Sequence, residues 1–107
     1  MSLQVIWQSP ATKQLDVVVS EGIRLFGERI AAAFYWRVRD YSAYLSDNPF
    51  MGIIEPLLAE RRIEYRSLVI HKHYKLIYRV ENDKVYIADL WDTRCEPARL
   101  TRRMRGK

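Results

Sequence analysis

The sequence predicts an α+β fold of β-α-α-β-β-β order. A small antiparallel-rich sheet carries an N-terminal helical hairpin on one face and ends in a short C-terminal helix or tail. Three observations predict it. Apolar residues recur at helical spacing through the first 45 positions. They alternate at strand spacing from Tyr65 to Trp91. The links between the later segments are too short for anything but antiparallel hairpins. At 107 residues the chain is read as a single domain, 1–107, with one core.

Leu3–Trp7 reads as a strand, because Val5 and Ile6 are β-branched and Trp7 is aromatic. Ser9 and Pro10 open the first helix, with Ser9 read as N-cap and Pro10 as first helical residue. Ala11, Leu15, Val18, Val19, Ile23 and Phe26 form a stripe expected to face the core. Gly27 is a natural stop. A second helix follows from Glu28 to Leu45, its stripe being Ile30, Phe34, Arg37 or Val38, Tyr41 and Leu45. Trp36 falls off that stripe and is read as packed within the domain or as a partner contact. Pro49 holds Asn48 away from helical angles and ends the helix.

Phe50 to Arg62 is a connection, with one helical turn near Leu57–Glu60. Tyr65–Ile70 and Tyr74–Val80 are strands joined by a turn at His71-Lys72-His73. Glu81-Asn82-Asp83 turns the chain into Lys84–Trp91. Pro97 to Met104 is the final helix, followed by a basic tail. The first strand must join the sheet, and the sheet face opposite the hairpin is expected to be free for binding.

Charge divides the chain. Residues 1–60 carry five Lys or Arg against seven Asp or Glu, a net −2, whereas residues 61–107 carry thirteen against six, a net +7. Cations segregated onto a sheet favour an anionic partner, nucleic acid or acidic protein. The single cysteine, Cys95, excludes an internal disulfide and fits a reducing compartment. Cys95 adjoins Arg94, which favours a thiolate, but the sequence places no histidine and acid beside it for nucleophilic catalysis. No signal pattern or membrane-length apolar run is present, so a cytoplasmic protein without membrane contact is expected.

Alternation puts Lys75, Ile77 and Arg79 on one strand face, and Arg66, Leu68 and Ile70 together on another. Arg66 and Lys75 are then expected to converge across the hairpin, with Arg94 arriving from the strand end. The same pattern reads equally well as solvent-facing cations that discourage aggregation. His71 and His73 have metal-ligand spacing, but they lie at a turn without carboxylates or cysteines. Solvated turn histidines are the ordinary reading, with acid–base work in a basic cleft the functional one. No metal or other cofactor is expected, since glycine-rich phosphate loops, His-Glu-x-x-His and Cys-x-x-Cys are absent.

Nearly the whole chain resembles the RelE/ParE superfamily of bacterial toxin–antitoxin toxins. The likeness runs from Ser9-Pro10 through Asn48-Pro49 and Gly52. It is strongest in Tyr65-Arg66-Ser67-Leu68, in Tyr74 to Val80, and in Asp92-Thr93-Arg94, Pro97 and Leu100. The resemblance implies the β-α-α-β-β-β fold and a partly disordered cognate antitoxin as partner. It also implies one of two targets: DNA gyrase, or messenger RNA cut on the ribosome. For the ribonuclease branch, the matching positions are Arg66, Lys75 and Arg94, with His71 or His73 left to move protons without a metal. Leu68 and Leu100 stand where that branch wants polar groups, and Asp92-Thr93-Arg94 is more similar to the ParE-like side. The expectation is therefore a toxin of a plasmid-stabilisation-like module that inhibits growth through gyrase. Its target contacts are expected at Arg94, Trp91, Arg99, Arg102 and Arg103. It is expected to assemble as a homodimer or with its antitoxin as a hetero-oligomer.

Overall fold

The structure is a computed structural model and describes residues 2–104. The last three residues of the basic tail read from the sequence lie outside that range. In chain order come β1 (Gln4–Trp7), α1 (Ser9–Phe26), α2 (Glu28–Tyr44) and β2 (Ile53–Ile54). A 3₁₀ turn (Pro56–Leu58) follows, then β3 (Arg66–His71), β4 (Tyr74–Glu81), β5 (Lys84–Asp92) and α3 (Pro97–Arg103).

The strands form one sheet in the order β1-β5-β4-β3-β2. β2, β3, β4 and β5 pair antiparallel, but β1 pairs parallel with β5, so the sheet is mixed. The parallel pair is compatible with connectivity, because β1 and β5 are joined through the helical hairpin and the other strands rather than by a tight turn. β2 was not visible in the sequence. It is two residues long, inside what reads as a connection.

The β4–β5 turn closes through Asn82 and Asp83 at φ 52° and 60°, left-handed values that Asn and Asp tolerate and that two-residue hairpins require. Gly27 ends α1 at φ 90° and lets the chain reverse into α2. α1 begins one residue earlier than its sequence signal implies. Gln8 takes the N-cap position with no side-chain cap, and Ser9 is already helical. Gly52 answers a packing demand: a Cβ there would lie 2.5 Å from the Ser67 carbonyl oxygen and 2.8 Å from the Tyr78 hydroxyl.

Each face of the sheet has its own core. On the helical-hairpin side, Ala11, Leu15, Val38 and Leu45 pack on Ile70, Leu76, Tyr78, Val85, Ile87 and Leu90. On the other side, Leu100 and Met104 of the C-terminal segment and Leu58 of the 3₁₀ turn cover Tyr65, Ile77, Ala88 and Trp91. The expectation that this second face is free for binding is therefore corrected. α3 is short, yet it places an apolar residue on each successive turn over the sheet, and Arg61 donates to the carbonyls of Thr101 and Met104 at 2.7 Å each, anchoring the helix end.

The helical stripes are corrected at one end. Ala11, Leu15, Val38 and Leu45 are buried, but Ile23, Phe26 and Ile30 are 44%, 64% and 57% exposed. The hairpin tip lies where the sheet no longer covers it. Trp36 is exposed as well, with the Tyr35 ring edge-on to it.

Candidate functional site

Register decides where the predicted cations go. Arg66 pairs with Tyr78 and Leu68 with Leu76, whereas Lys75 pairs with Val69 and Trp91. Directly opposed residues share a face. Arg66 thus belongs to the hairpin side with Tyr78 and Leu76, and Lys75 to the α3 side with Trp91. The expected convergence of Arg66 and Lys75 does not occur. Alternation within each strand was read correctly, but which face of one strand meets which face of the next depends on register, and the sequence left that open.

Each of these residues is engaged locally. Arg66 donates to the Gly52 carbonyl at 2.8 Å, pairs with Glu64 at 3.0 Å and lies over the Phe50 ring. Lys75 pairs with Glu55, a carboxylate buried on the α3 side whose other oxygen accepts from the Leu57 amide. Arg79 lies over Tyr86 and pairs with Glu81. Arg103 pairs with buried Asp89 and covers Trp91. Trp91 itself is 2% exposed, so its expected role as a target contact is corrected: it is a core residue of the second face. Leu100, at the position where a proton-transfer group was sought, is fully buried beside it. Arg99 and Arg102 are exposed on α3. The basic half of the sequence is thus no open cationic sheet, because Arg66, Lys75 and Arg79 of β3 and β4 are each paired with a carboxylate.

Two of the predicted residues, Arg94 and His71, do share one place. Arg94, His71 and Tyr74 stand with Arg37 of α2 at the mouth of a cavity of about 390 Å³ between the hairpin tip and the sheet end. Val18, Leu25, Phe26, Ile30 and Phe34 form its apolar walls. Sequence reasoning missed Arg37, Tyr74 and the whole groove. The available signal was the alternative Arg37 on the second helix's stripe.

The mouth is ordered by aromatic and ionic contacts. Phe34 meets Tyr74 edge-on at 5.1 Å and His71 at 6.0 Å. The Asp92 carboxylate accepts from the Arg94 backbone and from both Nε and Nη2 of its guanidinium, at 2.9–3.0 Å. The same guanidinium lies 5.9 Å over the Tyr74 ring. Hydrogen bonding from Arg94 holds the Asp92 carboxyl below its ordinary value. Burial pushes the Tyr74 phenol up, helped by the Asp92 charge. His71 is held below the usual histidine value by burial first, then by the charges of Arg37, His73, Lys72 and Arg94. Its Nδ1 accepts from the His73 amide at 3.3 Å, which favours the neutral ring with its proton on Nε2.

Glu21 also lines the groove, but its carboxylate pairs with Arg24 at 2.7 Å. Among the described residues no group of three or more His, Cys, Asp or Glu is placed to hold a metal ion. Cys95 is a half-buried free thiol packed against the second core. No helix among those residues is long and apolar enough to cross a membrane.

The fold and this groove define an α+β domain with one closed sheet face and one hairpin left partly uncovered. No family model and no curated protein matches the chain. Among solved structures, the chain is similar to one titled "Chromosomal ParDE TA system from P. aeruginosa". The TM-score is 0.72 and the identity 17%, over 85% of this chain and 96% of that one. At that identity the likeness establishes the fold, which is the fold that the RelE/ParE resemblance implied.

Proposed function

We propose that this chain is the toxin of a type II toxin–antitoxin module, that it acts by binding DNA gyrase rather than by cutting RNA, and that a cognate antitoxin docks in the apolar groove to neutralise it. The observation that carries the reading is the fold likeness over nearly the full length of a chain from a ParDE system. The placement of the cations supports the choice between the branches. Stabilising a phosphorane takes several cations aimed at one point, and Arg66 and Lys75 lie on opposite faces of the sheet.

An exposed apolar groove on a small protein is the ordinary mark of a partner site, which supports an antitoxin there. Arg94, Arg99, Arg102 and Arg103 are the accessible residues of the expected target set, Arg103 being engaged by Asp89. On this reading the protein works in the cytoplasm, restrains growth when unneutralised and stabilises the replicon that encodes it.

Paired assays on the purified protein test this. Supercoiling by gyrase should be inhibited, and messenger RNA on translating ribosomes should stay intact. RNA cleavage lost on Arg94→Ala, with gyrase unaffected, would overturn the reading. The ribonuclease alternative keeps one supporting observation, that His71 and Arg94 share the groove mouth.

A further inference from the structure

The groove is apolar along its length and cationic only at one end. Arg37 reaches that end from α2, His71 from the end of β3, and Arg94 from the segment after β5. Three elements distant in sequence therefore bring positive or proton-accepting groups to one point, beside the Tyr74 ring. Lys72 and His73 of the β3–β4 turn add to the local field felt by His71. The anions that face this point are few. Asp92 holds Arg94 from behind, and Glu21 on α1 is engaged by Arg24. Among the residues lining this end, then, cations exceed unpaired anions, and the apolar walls next to them lower the local dielectric.

We propose that the mouth is a carboxylate site. It takes one Asp or Glu side chain of an amphipathic partner helix whose apolar stripe fills the groove, with Arg37, His71 and Arg94 receiving the acid. The inference rests on the groove being a docking surface and adds the chemistry of what docks. Charge complementarity selects the occupant. A second copy of this chain would bring to the mouth a hairpin tip on which exposed Arg24 and Arg29 outnumber Glu28, and a cationic partner would be repelled. The Asp92 clamp leaves the Nη1 of Arg94 without an intramolecular bond among those described, so the guanidinium is fixed in direction yet still has a donor to give.

Proton linkage follows with a definite sign. His71 is neutral at pH 7 in the free protein, because burial and its cationic neighbours depress it. A carboxylate placed against the ring favours the charged form and raises its pKa toward or above the ordinary ~6.5. Binding then takes up a proton, and the complex tightens as pH falls through that region, as long as the partner's acid stays ionised.

The probe is a pair of stapled Leu/Ala-rich helical peptides, one with a single Glu at one end and its twin with Gln there. They are titrated against the full chain with the His71 and aromatic NMR signals as readout. The Glu peptide should bind about tenfold tighter than the Gln peptide, about 1.4 kcal/mol. It alone should raise the His71 titration midpoint, and added salt should reduce its advantage. Arg94→Gln and Arg37→Gln, both at exposed side chains, should each bring the Glu peptide's affinity down toward that of the Gln peptide. Equal binding of both peptides in the groove overturns the carboxylate site but leaves the docking surface standing. Failure of both to shift Phe34 and Tyr74 overturns the docking surface as well. A free protein that sediments as a dimer and becomes monomeric on Phe26→Asp would put a second copy in the groove and also overturn the proposal.

Discussion

The two sides of the sheet solve the same burial problem differently. On the α3 side, a seven-residue helix and a 3₁₀ turn close a small core around Trp91, and the polar groups beneath them are paired: Lys75 with Glu55, Arg103 with Asp89. On the hairpin side, two helices of 18 and 17 residues have far more apolar surface to offer, yet Leu25, Phe26 and Ile30 are left more than half exposed. The short element is the completed one. A chain that can seal one face with seven residues but leaves the tip of a long hairpin bare carries that surface at a cost in solubility, which is the expected pattern where a partner supplies the missing cover. The closed side should therefore respond to mutation through stability, and the open side through binding.

The largest effect is expected at Trp91. Truncation to Ala removes the biggest side chain of the α3-side core and the ring that Arg103 covers. Loss of a buried aromatic typically costs about 3–5 kcal/mol, a large part of the stability of a domain this size. Urea denaturation of Trp91→Ala should show a sharply lowered midpoint. A loss below about 1 kcal/mol would mean that α3 does not seal this face in solution, and Trp91 would return as a candidate target contact.

Phe26 is the counterpart on the open side. Phe26→Ser changes a 64% exposed ring, so stability should stay within about 0.5 kcal/mol of wild type. Binding of a hydrophobic dye such as ANS should fall several-fold if the groove is the principal apolar surface. A stability loss comparable with that of Trp91→Ala would show the tip to be packed rather than open, and the contrast between the two sides would fail.

How far the sequence carries depends on which physical effect fixes each feature. Local signals sufficed for the helices and the three long strands, because stripe spacing, Gly27, Pro49 and the Asn82-Asp83 turn act within a few residues. Alternation in β4 was legible for the same reason. What could not be read depends on meetings between distant segments. The relative register of β3 and β4 put Arg66 and Lys75 on opposite faces. The parallel docking of β1 on β5 made the sheet mixed. The return of α3 over the sheet turned Trp91 from a surface candidate into core. The groove was hidden because its walls look like an ordinary helical stripe until the extent of the sheet beneath them is known. Arg94 was found from its position after the last long strand, whereas Arg37 became part of the same site only through tertiary packing.

One chemistry occurs in both places, and its smaller effect is expected on the open side. Asp92 holds Arg94 on the open side, and Asp89 holds Arg103 on the closed side. Asp89 is buried, so Asp89→Asn disturbs a charge-assisted bond in a low-dielectric setting and should cost about 1–3 kcal/mol. The Arg94 side chain is 57% exposed, and solvent screening keeps the value of the Asp92 pair below about 1 kcal/mol. Its pH dependence has a fixed sign. Arg94 depresses the Asp92 carboxyl, so the native state holds fewer protons than the unfolded chain near and below the ordinary Asp value of ~3.9. The contribution is full above that value and is lost as pH falls through the lower native one. The difference in urea midpoint between wild type and Asp92→Asn should accordingly be small at pH 7 and vanish in acid. A gap that persists below the native Asp92 value would mean that Asp92 stabilises the open side through packing rather than through Arg94, and the groove mouth would then be as firmly built as the closed face.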